Sequence, residues 1–266
     1  MTNRTEVYLA SFGDISKLPR QRLLDEIDYV WTELRLDNSI ALNLQLDAIE
    51  QFYSHPVWIL NGIFSALDPD SKNHRIAIAE YIKQLGALFV ADYGGGSGVL
   101  ARCIAEVSTA QIDIVEPYPS KIFVERLNDL NGVHFVPELD QDYDVVIAQD
   151  VLEHVDNPLE HVIKLVSATR IGGHLIFANC FYPEIKCHLP RTFYLRHTFS
   201  TLMKYAGLEL VGHVNGAEHA LVFKRICSIK IDCLKVANKK AKMFGVTINH
   251  IISIIRKSKL VIKNLL

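Results

Sequence analysis

Val90-Ala91-Asp92-Tyr93-Gly94-Gly95-Gly96-Ser97-Gly98-Val99-Leu100-Ala101 is the stretch whose reading decides the fold. Ahead of it, Ala87-Leu88-Phe89-Val90-Ala91 is an apolar run of strand length. Behind it, Val99, Leu100, Cys103 and Ile104 recur at helical spacing. The glycines therefore occupy a strand-to-helix turn. Glycine there permits positive φ and lets a ligand press against bare backbone, while the helix start offers unpaired N–H groups to an anionic group. The spacing narrows the ligand. A dinucleotide fingerprint needs Gly or Ala three residues after its second glycine, and Val99 stands in that slot. The pattern present is acid-x-Gly-x-Gly-x-Gly, with Asp92 two residues ahead of Gly94. Taken alone, such a loop also fits a structural turn in another α/β domain.

Further landmarks follow in order. Ala110 to Pro117 reads as a second strand ending in an acid, and Glu116 falls eighteen residues after Gly98. Tyr143-Asp144-Val145-Val146-Ile147-Ala148-Gln149-Asp150-Val151-Leu152-Glu153-His154-Val155 reads as another strand and the loop that leaves it. Gly172-Gly173 precedes the apolar run His174 to Ala178. Arg196-His197-Thr198-Phe199 opens a helical pattern that closes at Gly207. Over roughly residues 85–226 this series resembles the class I S-adenosylmethionine (SAM)-dependent methyltransferases, with the V-L-E-H-V segment of those acting on small molecules.

The resemblance implies an α/β fold: a Rossmann-like seven-stranded sheet of order 3-2-1-4-5-7-6 with strand seven antiparallel. It also implies SAM as cofactor. Gly94, Gly96 and Gly98 would then pass under its methionine part, Asp92 and Glu116 would bind its polar groups, and Gln149 and Asp150 would flank it. A carboxylate such as Glu116 can accept both hydroxyl hydrogens of a ribose diol. Glu138 and Asp140, after the short strand Val133 to Val136, are candidates for the adenine amino group, and Tyr118 for stacking on the ring. The Gly172-Gly173 pair is expected to turn the chain into strand five. Two rivals remain: a SAM-binding scaffold without turnover, and a nicotinamide oxidoreductase, which Val99 disfavours.

Ligands of open parallel sheets bind beyond the carboxyl ends of the strands. The loop after strand four carries Asp150, Glu153 and His154 there. Three roles compete: His154 as general base for an acceptor hydroxyl, a divalent metal on Asp150, Glu153 and His154, and local pairing that caps a short helix. The loop after strand five adds Cys180, Cys187, His188, Arg191 and Tyr194, with His197 just beyond. His188, Arg191 or Tyr194 would touch the acceptor, and His188 is the second candidate base. The Cys and His spacings match no familiar zinc module, so no metal is assigned. The acceptor expected is a sugar, glycan or other small polar hydroxyl compound; a lipid or quinone is the alternative.

The chain has 266 residues, 49% apolar and 22% charged, which fits a globular protein. Five cysteines at scattered positions form no disulfide framework, and Met1 to Glu6 has no apolar signal core, so a cytoplasmic chain with reduced thiols is expected. Residues 1–84 read as a helical cap, with Leu23, Ile27, Val30, Trp31 and Leu34 on one stripe and Leu42, Leu46, Ile49 and Phe52-Tyr53 on another. Tyr53, Trp58 and Phe64 would line a lid over the acceptor. Residues 85–226 form the SAM-binding domain. In 227–266, nine Lys and Arg stand against Asp232 alone, a charge of +8 that leaves −10 on the remainder. Ile248, Ile251, Ile252, Ile255, Leu260, Val261, Ile262 and Leu265 recur at helical spacing. Such a basic amphipathic tail either docks on the acidic body or contacts an anionic membrane surface. No aromatic interleaving supports a nucleic-acid groove.

Overall fold

The computed structural model describes residues 3–140 and 142–265, with side chains for 4–140 and 142–249. Seven strands make one sheet: β1 Phe89–Tyr93, β2 Gln111–Val115, β3 Val133–Val136, β4 Tyr143–Gln149, β5 Thr169–Ala178, β6 Leu208–Val214 and β7 Ala217–Arg225. Their order is β3-β2-β1-β4-β5-β7-β6, with β7 antiparallel to both neighbours, as the resemblance implies. Parallel strands covered on both faces read as apolar runs. Accordingly Val145, Val146, Ile147 and Ala148 of β4 are all buried. The chain reverses direction across the sheet between β1 and β4, and ligand crevices open at such a point.

Helices α1 Asn3–Ala10, α2 Arg20–Glu33, α3 Leu46–Tyr53 and α4 Pro56–Leu67 build the N-terminal layer. Their core joins Leu23, Ile27, Val30 and Trp31 to Ile49, Phe52, Val57 and Leu60, with Cys187 from the far loop. Leu46 departs from its expected stripe. It is the first residue of α3 and is 61% exposed. Phe64 is buried among the helices of this layer instead of lining a cavity. The next helix, α5 Pro69–Gln84, starts on a strong signal: Asp68 accepts a hydrogen bond from Ser71 N at 2.8 Å, and Pro69 fills the first turn. Ile78, Ala79 and Ile82 of α5 enter the sheet's own core, so the sheet layer begins before β1.

Helices α6 Val99–Val107, α7 Lys121–Leu127 and α8 Pro158–Ala168 complete the layers between the parallel strands. Gly172 and Gly173 fall within the span of β5 at a break in its pairing: the partner moves from Thr169 to His174 while β4 advances only from Tyr143 to Val145. Gly172 turns left-handed at φ +83, so the pair turns the chain into the regular part of the strand as expected. Gly173 also answers to close approach. A Cβ on Gly173 would lie 2.9 Å from the carbonyl of Asp144 on the neighbouring strand, and the β4–β5 register shifts at that point. After β5 the chain forms a 3-10 run, Pro190–His197, and then a short α9, Phe199–Met203. Thr198 does not cap α9 with its side chain; its hydroxyl donates to Tyr194 O at 2.9 Å.

The last helix, α10 Ile231–Leu265, docks on the 3-10 run. Leu234 and Ala241 join the core around Phe177, Phe199 and Phe223. Tyr194 Oη donates to Asn238 at 2.6 Å, and Gly245 lets the helix approach Tyr194, whose carbonyl would lie 2.6 Å from an added Cβ. The apolar positions Ile251 to Leu265 fall outside the described side chains. Among the described residues, no helix is long and apolar enough to cross a membrane.

Candidate functional site

The glycine loop leaves β1 at the crevice, and its glycines answer to different demands. Gly94 has φ +73, and a Cβ there would strike Val151 at 2.4 Å. Gly98, at φ +67, would strike Leu127 at 2.2 Å. Gly96 meets nothing closer than 3.9 Å. So Gly94 and Gly98 are set by packing, and Gly96 faces open space where a ligand could lie. Beneath the loop is Asp92, buried, with its Oδ2 without a hydrogen-bond partner. Burial pushes its carboxyl up to about 7, against the opposing charge of Arg75.

Glu116, just beyond β2, accepts from Gly96 N and from Tyr118 N, each at 3.0 Å. It ties the loop to the neighbouring strand. Each carboxylate oxygen keeps a second lone pair for a hydroxyl. Burial raises its carboxyl, and the two N–H groups oppose the shift. Tyr118 stacks on Tyr53 (5.5 Å between centroids, 8° between planes), and Tyr53 stacks on Trp58 in turn. The N-terminal layer thus reaches the crevice as an aromatic ladder. Glu138 and Asp140 are exposed after β3.

Gln149 ends β4, and its amide lies 3.4 Å from the Asp150 carboxylate. Asp150 turns left-handed at φ +52, a costly conformation for a side-chain-bearing residue, while its N–H is held by Ala178 O at 2.7 Å. The following turn, Leu152–His154, is 3-10, and Val151 at its start supplies no side-chain cap. The capping role for these polar residues is therefore set aside. Glu153 is fully buried; its Oε1 accepts from Cys180 N at 2.5 Å, and its Oε2 has no partner. Burial, then the charge of Asp150, pushes this carboxyl up to about 8.

His154 and His188 meet edge to face, with centroids 4.8 Å apart. Nδ1 of His154 is 3.2 Å from Cys187 O, and Nδ1 of His188 is 2.8 Å from Tyr182 O. A carbonyl only accepts, so each Nδ1 carries the proton and each Nε2 keeps a free lone pair. Burial, then neighbouring His188, pushes His154 down to about 3. Burial also lowers His188, with Asp150 and Glu184 pulling the other way. Donor atoms of Glu153, His154 and His188 all lie within 4.8 Å of one another. This set takes His188 where the sequence suggested Asp150, because only the folded loop after β5 brings His188 across. Cys180 and Cys187 do not join a metal-binding group among the described residues.

Two expected acceptor contacts have other work. Arg191 pairs with Asp156 and donates to the carbonyls of Asn38 (2.6 Å) and Ile40 (2.7 Å), fastening the N-terminal layer to the site loops. Tyr194 is buried under α10. The residue missed from sequence is Arg75 on α5. It donates to the carbonyls of Ser65 and Ser71, and its charge is held by Asp150 and Asp92. Nothing in the run His74-Arg75-Ile76 marks it, since its importance comes from contacts distant in sequence. Beside the site, a cavity of about 180 Å³ is lined by Phe177, Phe181, Tyr182, Phe199, His197 and His219, among others.

The donor chemistry fits SAM. That molecule carries an ammonium and a sulfonium beside a carboxylate, and the crevice offers Asp92, Glu116 and Asp150 beside a single guanidinium. The orphaned Oδ2 of Asp92 and the open face of Gly96 leave it both a partner and room.

Comparison with known proteins agrees. A family model described as a methyltransferase domain matches residues 75–213. The ubiquinone biosynthesis O-methyltransferase of Proteus mirabilis is 28% identical over 154 residues, which are 53% of this chain and 62% of that protein. The match thus spans less than two thirds of that relative's length. Among solved structures, an O-methyltransferase family protein from Burkholderia thailandensis superposes with a TM-score of 0.53 at 14% identity, covering 78% of this chain and 72% of the other. Human N-acetylserotonin methyltransferase in complex with SAM gives 0.52 at 14% identity, covering 78% and 67%. At such identities the structures speak for the fold alone. The family match covers more than half of the chain and takes in the glycine loop, β1 to β5 and nearly all of β6, so the chain belongs to the methyltransferase-domain family, the class I SAM-dependent enzymes.

Proposed function

We propose that this enzyme methylates a hydroxyl oxygen of a small, ring-bearing acceptor held between the glycine loop and the two histidines. The observation that carries this reading is the His154–His188 pair, each ring fixed by a backbone carbonyl with its Nε2 free to take a proton. SAM, when bound, supplies the methyl group as an electrophile. The protein's own part is to align the acceptor oxygen, exclude water and accept the hydroxyl proton. The name of the Proteus mirabilis relative, an O-methyltransferase, supports oxygen as the methylated atom.

The lining of the adjacent cavity suits a ring that carries polar groups. Phe177, Phe181 and Phe199 supply aromatic surface, Asn179, Ser200 and His219 supply polar atoms, the Arg196 guanidinium lies 5.0 Å over the Tyr182 ring, and about 180 Å³ holds one ring. This leans towards a phenolic or quinone-type acceptor, the class in the name of the Proteus mirabilis relative.

Of the two histidines, His188 is the better base. His154, pushed down to about 3, stays neutral but holds a proton weakly, whereas carboxylates surround His188. His188→Ala is expected to lower turnover about 10²–10⁴-fold with SAM affinity nearly unchanged. His154→Ala should cost less. Turnover with labelled SAM and a phenolic acceptor, found by mass spectrometry of a metabolite extract, measures both. Equal activity of the His188 variant and the parent enzyme would remove the base role.

A second reading rests on the donor set of Glu153, His154 and His188. A divalent cation held there would polarise the acceptor oxygen and make a base unnecessary. Loss of turnover on chelation, restored by added cation, would select this reading over the first.

A further inference from the structure

Among the described side chains, up to Asn249, the outward face of α10 takes no part in the core. With 100° between residues, Leu234, Ala241 and Gly245 share the inner side, while Val236, Met243 and Val246 share the outer one. These three are 58, 70 and 63% exposed. Lysines frame that stripe: Lys240 on one flank, Lys235 and Lys242 on the other, and Lys239 between. Lys235, Lys239 and Lys240 make no ion pair among the described residues. An exposed apolar stripe flanked by solvated lysines is suited to lie flat at a headgroup boundary, its apolar side chains sunk and its ammonium groups reaching phosphates.

We infer that α10 is a docking helix for an anionic lipid bilayer surface. Charge complementarity selects this occupant. The segment carries +8 on a body of −10, so a membrane rich in acidic headgroups attracts the helix and repels the rest of the chain. That fixes orientation as well as contact. A second copy pairing through the same stripe would set lysine against lysine. Nucleic acid would use the lysines but leave the apolar stripe in water.

The contact bears on the enzyme because of what lies under the helix. Its inner face packs on the 3-10 run 190–197; Asn249 donates to Phe193 O at 3.2 Å and lies 3.2 Å from Nε2 of His197. His197 also lines the ring-sized cavity. A helix lying on a bilayer by its outer face therefore holds that cavity one helix diameter, roughly 10 Å, from the lipid. The inference about α10 stands whatever the acceptor is.

The test is co-sedimentation of the full chain with vesicles. One set contains phosphatidylcholine with about a third phosphatidylglycerol, the other phosphatidylcholine alone, both near physiological salt. The chain is expected to sediment with the anionic vesicles and not with the neutral ones. Replacing Lys235, Lys239 and Lys240 together by Ala should weaken partition roughly 100-fold. Met243→Glu, which keeps every lysine, should weaken it as well. All four side chains are exposed, so SAM affinity serves as a control for folding and should not change. The inference is overturned if the parent chain stays in the supernatant with anionic vesicles, or if the triple variant binds as the parent does. Light scattering that shows a dimer dissolved by Met243→Glu would also overturn it, as would binding to an oligonucleotide in preference to vesicles.

Discussion

Glu116 shapes the glycine loop, and we propose that the same carboxylate holds the ribose of SAM; the two jobs can be separated. It accepts from Gly96 N and Tyr118 N, and each of its oxygens keeps a second lone pair that can take a hydroxyl hydrogen. Glu116→Ala removes both jobs. SAM binding should weaken by about 1.5–3 kcal/mol, the range for hydrogen bonds to a charged group. Glu116→Gln keeps one acceptor oxygen and should lose less. Titration calorimetry of both variants checks this, with melting temperatures to show that the fold persists. If the two variants bind SAM as the parent does, the ribose lies elsewhere. Arg75 and Asp92 illustrate the same economy. Each offsets the cost of burying the other.

Elements hold such residues in register, and Arg191 is the clearest strut among them. Its guanidinium joins Asp156, in the loop after β4, to two carbonyls of the α2–α3 connection. Arg191→Ala should therefore lower stability by about 1.5–3 kcal/mol, towards the low end because both partners are about one-quarter exposed. A denaturant melt measures it, and a change below a few tenths would mean that other contacts hold the helical layer. The elements were legible in sequence where local periodicity decides them: the strands around the glycine loop and the stripe Leu23, Ile27, Val30 and Trp31. Legibility failed where a distant partner decides. Nothing in the sequence shows that Gly173 must also clear Asp144 O, and Arg191 looks like an acceptor contact until the N-terminal layer folds against it. The site divides the same way. Asp92, the glycines and Glu116 are named by motif spacing, whereas Arg75 and the approach of His188 to His154 come from chain crossing more than thirty residues of sequence.

For the molecule as a whole, this buried polar site makes stability depend on pH, and the sign follows from the individual groups. Burial raises Glu153 to about 8 and Asp92 to about 7, from ordinary values of 4.5 and 3.8. The folded state thus holds these protons more tightly than the unfolded chain. Their contribution is fully present below about 4 and is lost as pH rises through 7 and 8. His154 behaves in the opposite sense. Lowered from 6.5 to about 3, it favours the fold while neutral, and that contribution is lost as pH falls below 6.5 towards 3. Between about 4 and 6.5 the two trends oppose each other; above 6.5 only the acids act. The parent chain should therefore be most stable in mildly acidic solution, with a melting temperature that declines from about pH 6.5 to 8.5. Glu153→Gln isolates the largest contributor, because the amide keeps an oxygen for Cys180 N–H and cannot ionise. Its melting temperature should fall less over that interval, and the two curves should converge towards pH 4, where Glu153 is protonated in both folded and unfolded parent chains. Parallel curves from pH 5 to 9 would show that the Glu153 carboxyl is already ionised in the folded protein, which requires a cation or a hydrogen-bond donor at the Oε2 that stands without a partner.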